Sequence, residues 1–178
     1  MVKIFKFFIY LLILVSAIIY FFPKVSGYYL LEKEMAKYKV VFSKEKAVDN
    51  GFSLDIKHAN LSYQAIESAS IKNINVKIFG LYNAIDVESV RLLDVASSFV
   101  PLKINNIHLS YTVINPLNIV GNAQGEFGVL HLTLHVVQRK LQVVLKPSKL
   151  MLSRYANTLR YMHKNSNGEY VYEQNIKL

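Results

Sequence analysis

The chain of 178 residues contains no cysteine. That excludes a disulfide scaffold, a thiolate metal site, a cysteine nucleophile and a lipoprotein anchor, which needs a Cys to acylate. Acids are also scarce: 12 Asp and Glu stand against 21 Lys and Arg, and after Asp94 only Glu126, Glu169 and Glu173 remain. A paired-carboxylate hydrolase would have to draw on Asp86, Glu88 or Asp94 with one of those three, and nothing in the sequence marks such a pair. Missing too are a Gly-x-Ser-x-Gly elbow and a Ser-x-x-Lys accompanied by its supporting motifs. Gly121-Asn122-Ala123-Gln124-Gly125 lacks the third glycine and the following helix of a nucleotide loop, and reads as a loop or bulge between strands. The chain is therefore read as non-enzymatic, with no cofactor.

Five histidines raise the question of a metal. His131 and His135 are the closest pair, and on a helix that spacing would bring both imidazoles to one ion. Their segment alternates as a strand, however, which sets the two Cα atoms about 13 Å apart. His58, His108 and His163 have no acidic neighbour at ligand spacing. The expectation is solvent-face histidines and no metal site.

What the sequence does have begins at its amino end. Phe7 to Phe22 is uncharged, and Ile4 and Phe5 extend the apolar stretch across Lys6. About 19 residues at about 1.5 Å each cover most of a hydrocarbon core of about 30 Å. Lys6 can snorkel to the headgroups, Tyr10, Tyr20, Phe21 and Phe22 add aromatic character near the edges, and Pro23 stops the helix. A cleaved signal peptide is the alternative, but cleavage after Ala17 leaves Ile18 to Phe22 exposed, and cleavage after Gly27 follows an overlong apolar region. The length favours an uncleaved signal anchor. Lys3, Lys6 and the terminal amine on one side face Lys24, Lys33, Lys37 and Lys39 on the other; the close-in positions favour a short cytoplasmic tail.

Residues 1–23 are thus expected to form a tail and transmembrane anchor, 24–40 a juxtamembrane helix and 41–178 an extracytoplasmic β-rich domain. In Tyr28 to Lys39, Leu30, Leu31, Met35 and Tyr38 fall at helical spacing. Beyond it the period becomes two: Phe52, Leu54, Ile56; Ile74, Val76, Ile78; Ile107, Leu109, Tyr111, Val113; Leu130, Leu132, Leu134, Val136; and Leu141, Val143, Leu145 after a turn near Gln138–Lys140. Such alternation marks antiparallel strands with one buried and one wet face. Breaks are expected at Asp49-Asn50-Gly51, Gly80, Ser97-Ser98, Pro101, Asn115-Pro116 and Gly121 to Gly125. Ser148 is a candidate N-cap for one late amphipathic helix over Leu150 to Met162, and Glu169 to Ile176 reads as a final strand.

Charge clusters late. Arg139, Lys140, Lys146, Lys149, Arg154, Arg160 and Lys164 occur with no acid among them. Three readings compete: a solvated basic face, contact with anionic lipid headgroups at about 1 kcal/mol per cation, and nucleic acid. Nucleic acid is set aside because the segment has no stacking-aromatic motif. These seven residues are the candidate headgroup-binding set.

Taken in order, Phe22-Pro23, the Leu/Glu-rich helix, Tyr111-Thr112-Val113-Ile114-Asn115-Pro116-Leu117, Gly125-Glu126-Phe127-Gly128 and Leu145-Lys146-Pro147-Ser148 resemble the type II secretion system protein N family and the wider AsmA-like group of bitopic inner-membrane proteins. The resemblance implies a mainly β fold: a single-span anchor in the bacterial inner membrane, then a periplasmic, curved antiparallel sheet with an apolar inner face. It implies no catalytic residue. The partner expected from it is a protein of an envelope assembly, with the protein as an accessory or scaffold subunit. The alternative is a lipid-binding or lipid-transfer module with phospholipid on the apolar face.

Overall fold

The computed structural model describes residues 2–176. The uncharged run gives helix α1, Val2–Phe21, exposed from Lys3 through Val15; it is long and apolar enough to cross a membrane. Pro23 has no N–H to continue the helical ladder, and α2, Lys24–Lys37, starts directly after it. That is one turn earlier than the apolar spacing alone indicates.

The chain then enters β1, Val40–Ser43, β2, Lys46–Asp49, β3, Ser53–Tyr63, β4, Ile66–Ile78, β5, Tyr82–Leu92, and β6, Lys103–Thr112. After β7, Asn118–Gly125, β8, Gly128–His135, and β9, Lys140–Pro147, come helices α3, Lys149–Arg154, and α4, Ala156–Leu159, then β10, His163–Lys164, and β11, Tyr170–Asn175. All pairings are antiparallel, in the order β1-β3-β4-β5-β6-β7-β8-β9-β11-β10 with β2 also on β3. The mainly β, antiparallel domain read from the sequence is thus present, as an open, 11-stranded sheet.

Register explains why so long a sheet holds one apolar face. Leu54, Val76, Ile85, Leu109, Gly121, Leu132, Val143 and Tyr172 pair in turn across eight strands. The next row is Ile56, Ile74, Val87, Ile107, Ala123, Leu130, Leu145 and Tyr170. Successive strand residues point to opposite faces, so the intervening row, Asp55, Asn75, Asp86, His108, Asn122 and His131, lies on the other side.

The phase of that alternation slips once along a line through β3 and β5. His58 and Ser89 have φ of 57° and 54°. Leu54 and Ile56 before the slip, and Ala59 after it, are all buried. A strict period-two reading loses the pattern there, which is why β5 carries no clear signal in the sequence. The expected break at Gly121 to Gly125 is corrected for a related reason: the segment is the central strand β7. Its inner positions are Gly121, Ala123 and Gly125, too small to register as hydrophobic periodicity. A Cβ on Gly121 would stand 2.4 Å from Leu109 Cδ2, so the glycine makes room for that leucine.

Helices cover the apolar face only at its two sides. Val25 and Tyr28 of α2 pack on the cluster of Leu54, Ile56, Ala59, Ala69, Ile71 and Val90. Met151, Tyr155 and Leu159 pack with Leu145, with Phe127, Leu130, Met162 and Tyr170 around them. The single late amphipathic helix is corrected to two short ones. Ser148 caps α3 as expected, its Oγ accepting the Met151 N–H at 3.1 Å, but the backbone leaves helical geometry at Tyr155. Met151, Tyr155 and Leu159 are all buried, as their i, i+4, i+8 spacing already allows.

Candidate functional site

Between the two helical covers the inner face of the sheet is open. Leu109, Tyr111, Ile119, Leu132 and Leu134 are half-buried, and Ile85 is 38% exposed. Water on a contiguous aliphatic surface is unfavourable by about 25 cal/mol per Å², and extended apolar patches on a folded domain mark binding surfaces. Two cavities lie along this face. One of about 290 Å³ is walled by Val76, Ile78, Ile85, Leu109, Tyr111 and Ile119. The other, about 360 Å³, lies at the opposite end of the strands between Leu92, Ile104, Leu130, Val143, Met151 and Tyr161. From Leu109 to Ile104 along β6 is five residues, about 17 Å at strand rise. One leaflet of a bilayer offers acyl chains of about 15 Å, half of a hydrocarbon core of about 30 Å. The face therefore has the chemistry and the length for an acyl chain. Gly121, Ala123 and Gly125 keep its middle shallowly lined.

The opposite face is polar and internally bonded. Asp86 Oδ1 lies 2.5 Å from His108 Nδ1, and Lys77 Nζ donates to Asp86 Oδ2 at 2.9 Å. Asn75 Nδ2 donates to Asp55. Burial pushes the Asp86 carboxyl up, but the hydrogen bonds from His108 and Lys77, with the Lys77 charge, outweigh it and hold the carboxyl below its usual range. His108 thus has an acidic partner that sequence spacing missed, because cross-strand register and not chain distance sets it. His131 and His135 take Asn122 and Asn118 as partners at 2.5 and 2.6 Å, as solvent-face histidines. Among the described residues no three His, Asp or Glu side chains group as a metal site.

The seven cations expected to act together are divided by the fold. Arg139 sits in the β8–β9 turn, and Lys140 opens β9, paired with Glu173 at 2.8 Å. Lys146, next to last in β9, is about 20 Å away at strand rise. Lys149 and Arg154 follow on α3, Arg160 is the C-cap of α4 and Lys164 lies on β10. Arg154 and Lys164 stand over the rings of Tyr155 and Tyr170 at 5.8 and 6.0 Å.

A third arrangement joins α1 to this sheet. Lys24 is 3% exposed. Its Nζ donates to the carbonyl oxygens of Ile19, Tyr20 and Phe22 at 2.9, 3.3 and 3.1 Å and lies 3.4 Å from Asp49 Oδ1. The ammonium thus caps carbonyls that the end of α1 leaves without helical partners, at the negative end of the helix dipole. Asp49 also accepts the backbone N–H groups of Lys24 and Gly51 at 3.1 and 2.9 Å. Burial raises the Asp49 carboxyl, but these bonds and the Lys24 charge prevail and lower it. A carboxyl lowered on folding contributes stability above its unfolded pKa, which is lost as pH falls through the folded one. Lys24→Met is expected to cost about 3 kcal/mol by leaving Asp49 and the carbonyls unpaired. Amide exchange should accelerate over residues 19–27 and 49–52 while the β8–β9 hairpin stays protected. In the wild type, protection over the same residues, taken relative to the intrinsic exchange rate at each pH, should fall as pH drops below the ordinary aspartate value of about 4, and Asp49→Asn should flatten that dependence.

Compared with known proteins, the chain matches no family model, no curated protein and no solved structure.

Proposed function

We propose that this chain is a single-span membrane protein whose sheet domain, outside the cytoplasm, binds or transfers lipid, sheltering acyl chains on its concave apolar face. One observation carries the reading: the two rows of apolar residues that cross eight strands without a charged side chain and stay half-exposed between the helical covers. A domain with no occupant for that face gains by closing over it or by placing polar residues there. The anchor in this reading is α1, and Lys3 and Lys6 favour a cytoplasmic amino end. A periplasmic setting rests on the resemblance to AsmA-like proteins. Native mass spectrometry of the full chain released gently from detergent tests the proposal. Phospholipid adducts should persist on the folded protein; a lipid-free protein after purification from native membranes would sink it.

A second reading, the envelope scaffold, has its own observation. Among the described residues β10 pairs with Tyr170 and Val171, and the outer edge of Tyr172–Asn175 has no strand partner. Such an edge can receive a strand from another protein. Photo-crosslinking from position 174 in native membranes should then give one defined adduct, and a ladder of unrelated products would count against it.

A further inference from the structure

The turns at the two ends of the sheet differ in kind. Away from α1, Gln64-Ala65 and Asn165-Ser166-Asn167 are polar or small, and the longer 93–102 connection mixes Ser97-Ser98 with Phe99 at 66% exposure. At the α1 end, the turns at 79–81, 113–117 and 136–139 contain no acid, and Arg139 is their one charge. They present Leu81 at 72% exposure, Ile114 at 93% and Val137 at 72%. Backbone bonds set them side by side: the Val113 N–H donates to the Leu81 carbonyl at 3.0 Å and the Val136 N–H to the Leu117 carbonyl at 2.9 Å. The result is a continuous apolar rim.

The rim meets α1 short of that helix's end. A Cβ on Gly80 would lie 3.2 Å from Ile19 Cδ1, and one on Gly51 would fall within the Tyr20 ring. The Tyr20 ring packs edge-on against Phe52 at 5.4 Å, and Phe52 stacks on Phe79 at 5.7 Å. Ile19 and Tyr20 belong to the last apolar turn of α1, so the turns at 50–52 and 79–81 meet the helix about 3 Å before its end, and the turns at 113–117 and 136–139 lie next in line along the same edge of the sheet. An aqueous domain has no reason to hold a row of exposed aliphatic turns at that level. Apolar groups with a flanking cation suit the boundary between acyl chains and headgroups, where interfacial segments settle about 5–10 Å deep.

We infer that this rim is seated in the bilayer surface beside α1, with Leu81, Ile114 and Val137 among the acyl chains and Arg139 at anionic headgroups. The cavity behind Ile85 and Leu109 then opens into the lipid itself, and acyl chains reach the concave face without crossing water. This inference rests on reading α1 as a membrane span.

The cysteine-free chain permits a direct test. Leu81→Cys, Ile114→Cys and Val137→Cys, each carrying an environment-sensitive nitrobenzoxadiazole label, are placed in full-length protein in vesicles of phosphatidylcholine and phosphatidylglycerol with brominated chains. Leu12→Cys reports α1, and Ser166→Cys reports the far end. Bromine should quench the three rim labels several-fold more than the label at 166. Rim labels as unquenched as 166, with position 12 quenched, overturn the inference and leave the span intact. An unquenched position 12 overturns the span and the inference with it.

Discussion

Gly128→Ala is expected to destabilise the protein by about 3 kcal/mol or more, a large part of the stability of a domain of this size. Gly128 has φ of 117°, outside what side-chain-bearing residues tolerate. A Cβ there would stand 2.2 Å from the Lys146 carbonyl oxygen, 2.7 Å from the Ser148 nitrogen and 3.0 Å from the Pro147 carbonyl carbon. All three are backbone atoms, so no side-chain rotation relieves the overlap and the β8–β9 pairing itself must shift. The same corner carries the Ser148 N–H to Phe127 carbonyl bond at 2.9 Å and the Ser148 hydroxyl to Glu126 carbonyl bond at 2.5 Å. Displacing it therefore loosens the cap of α3 and the burial of Met151. Thermal unfolding followed by circular dichroism should show a drop of about 10 °C. Gly168→Ala is the control: its φ is 80° but a Cβ there meets nothing within 4 Å, so only backbone strain of about 1 kcal/mol is expected. Equal melting of the two variants would refute the packing argument.

Ala123→Trp is expected to lower retained phospholipid by about tenfold or more, the effect of about 1.4 kcal/mol of lost binding. Ala123 lies on the inner face between Ile107 and Leu130, in the middle of the shallow stripe that connects the two cavities. An indole there covers 150–250 Å² of the face, replacing the space an acyl chain would take. It is only half-buried, so the substitution fills open surface and does not overpack a closed core. Asn122→Trp, one residue earlier, projects the same ring from the opposite face and should leave bound lipid unchanged. Lipid extraction with quantitative mass spectrometry reads the difference. If both variants retain wild-type lipid, the concave face is not where lipid sits.

Both substitutions fall in segments whose sequence gives a weak signal. Gly125-Glu126-Phe127-Gly128 is visible as a turn, but the backbone crowding at Gly128 arises from Lys146 and Ser148, some twenty residues later. Gly121, Ala123 and Gly125 look like a break until their neighbours Leu109, Leu130 and Leu132 are placed beside them. The candidate basic site shows the same limit in reverse. Arg139 and Lys146 belong to one charge run in the chain, yet β9 carries them to opposite ends of the sheet. Asp86 and His108, 22 residues apart, become direct partners through the β5–β6 register.

The sequence by itself determined what local chemistry can determine. An uncharged run of that length ends in a helix stopped by Pro23, and strict alternation at Leu54, Val76, Leu109, Leu132 and Val143 assigns strands with one dry face. It also determined the Ser148 cap, because a side-chain acceptor three residues before an orphan N–H is a local fact. Tertiary structure alone decided that these dry faces fuse into one open surface, that α2 and the late helices cover only its flanks, and that Lys24 is buried between α1 and Asp49. The reason is that strand register, the phase slips at His58 and Ser89, and the partners of a buried charge depend on contacts between distant residues. Period and composition carry no information about which distant residue will be there.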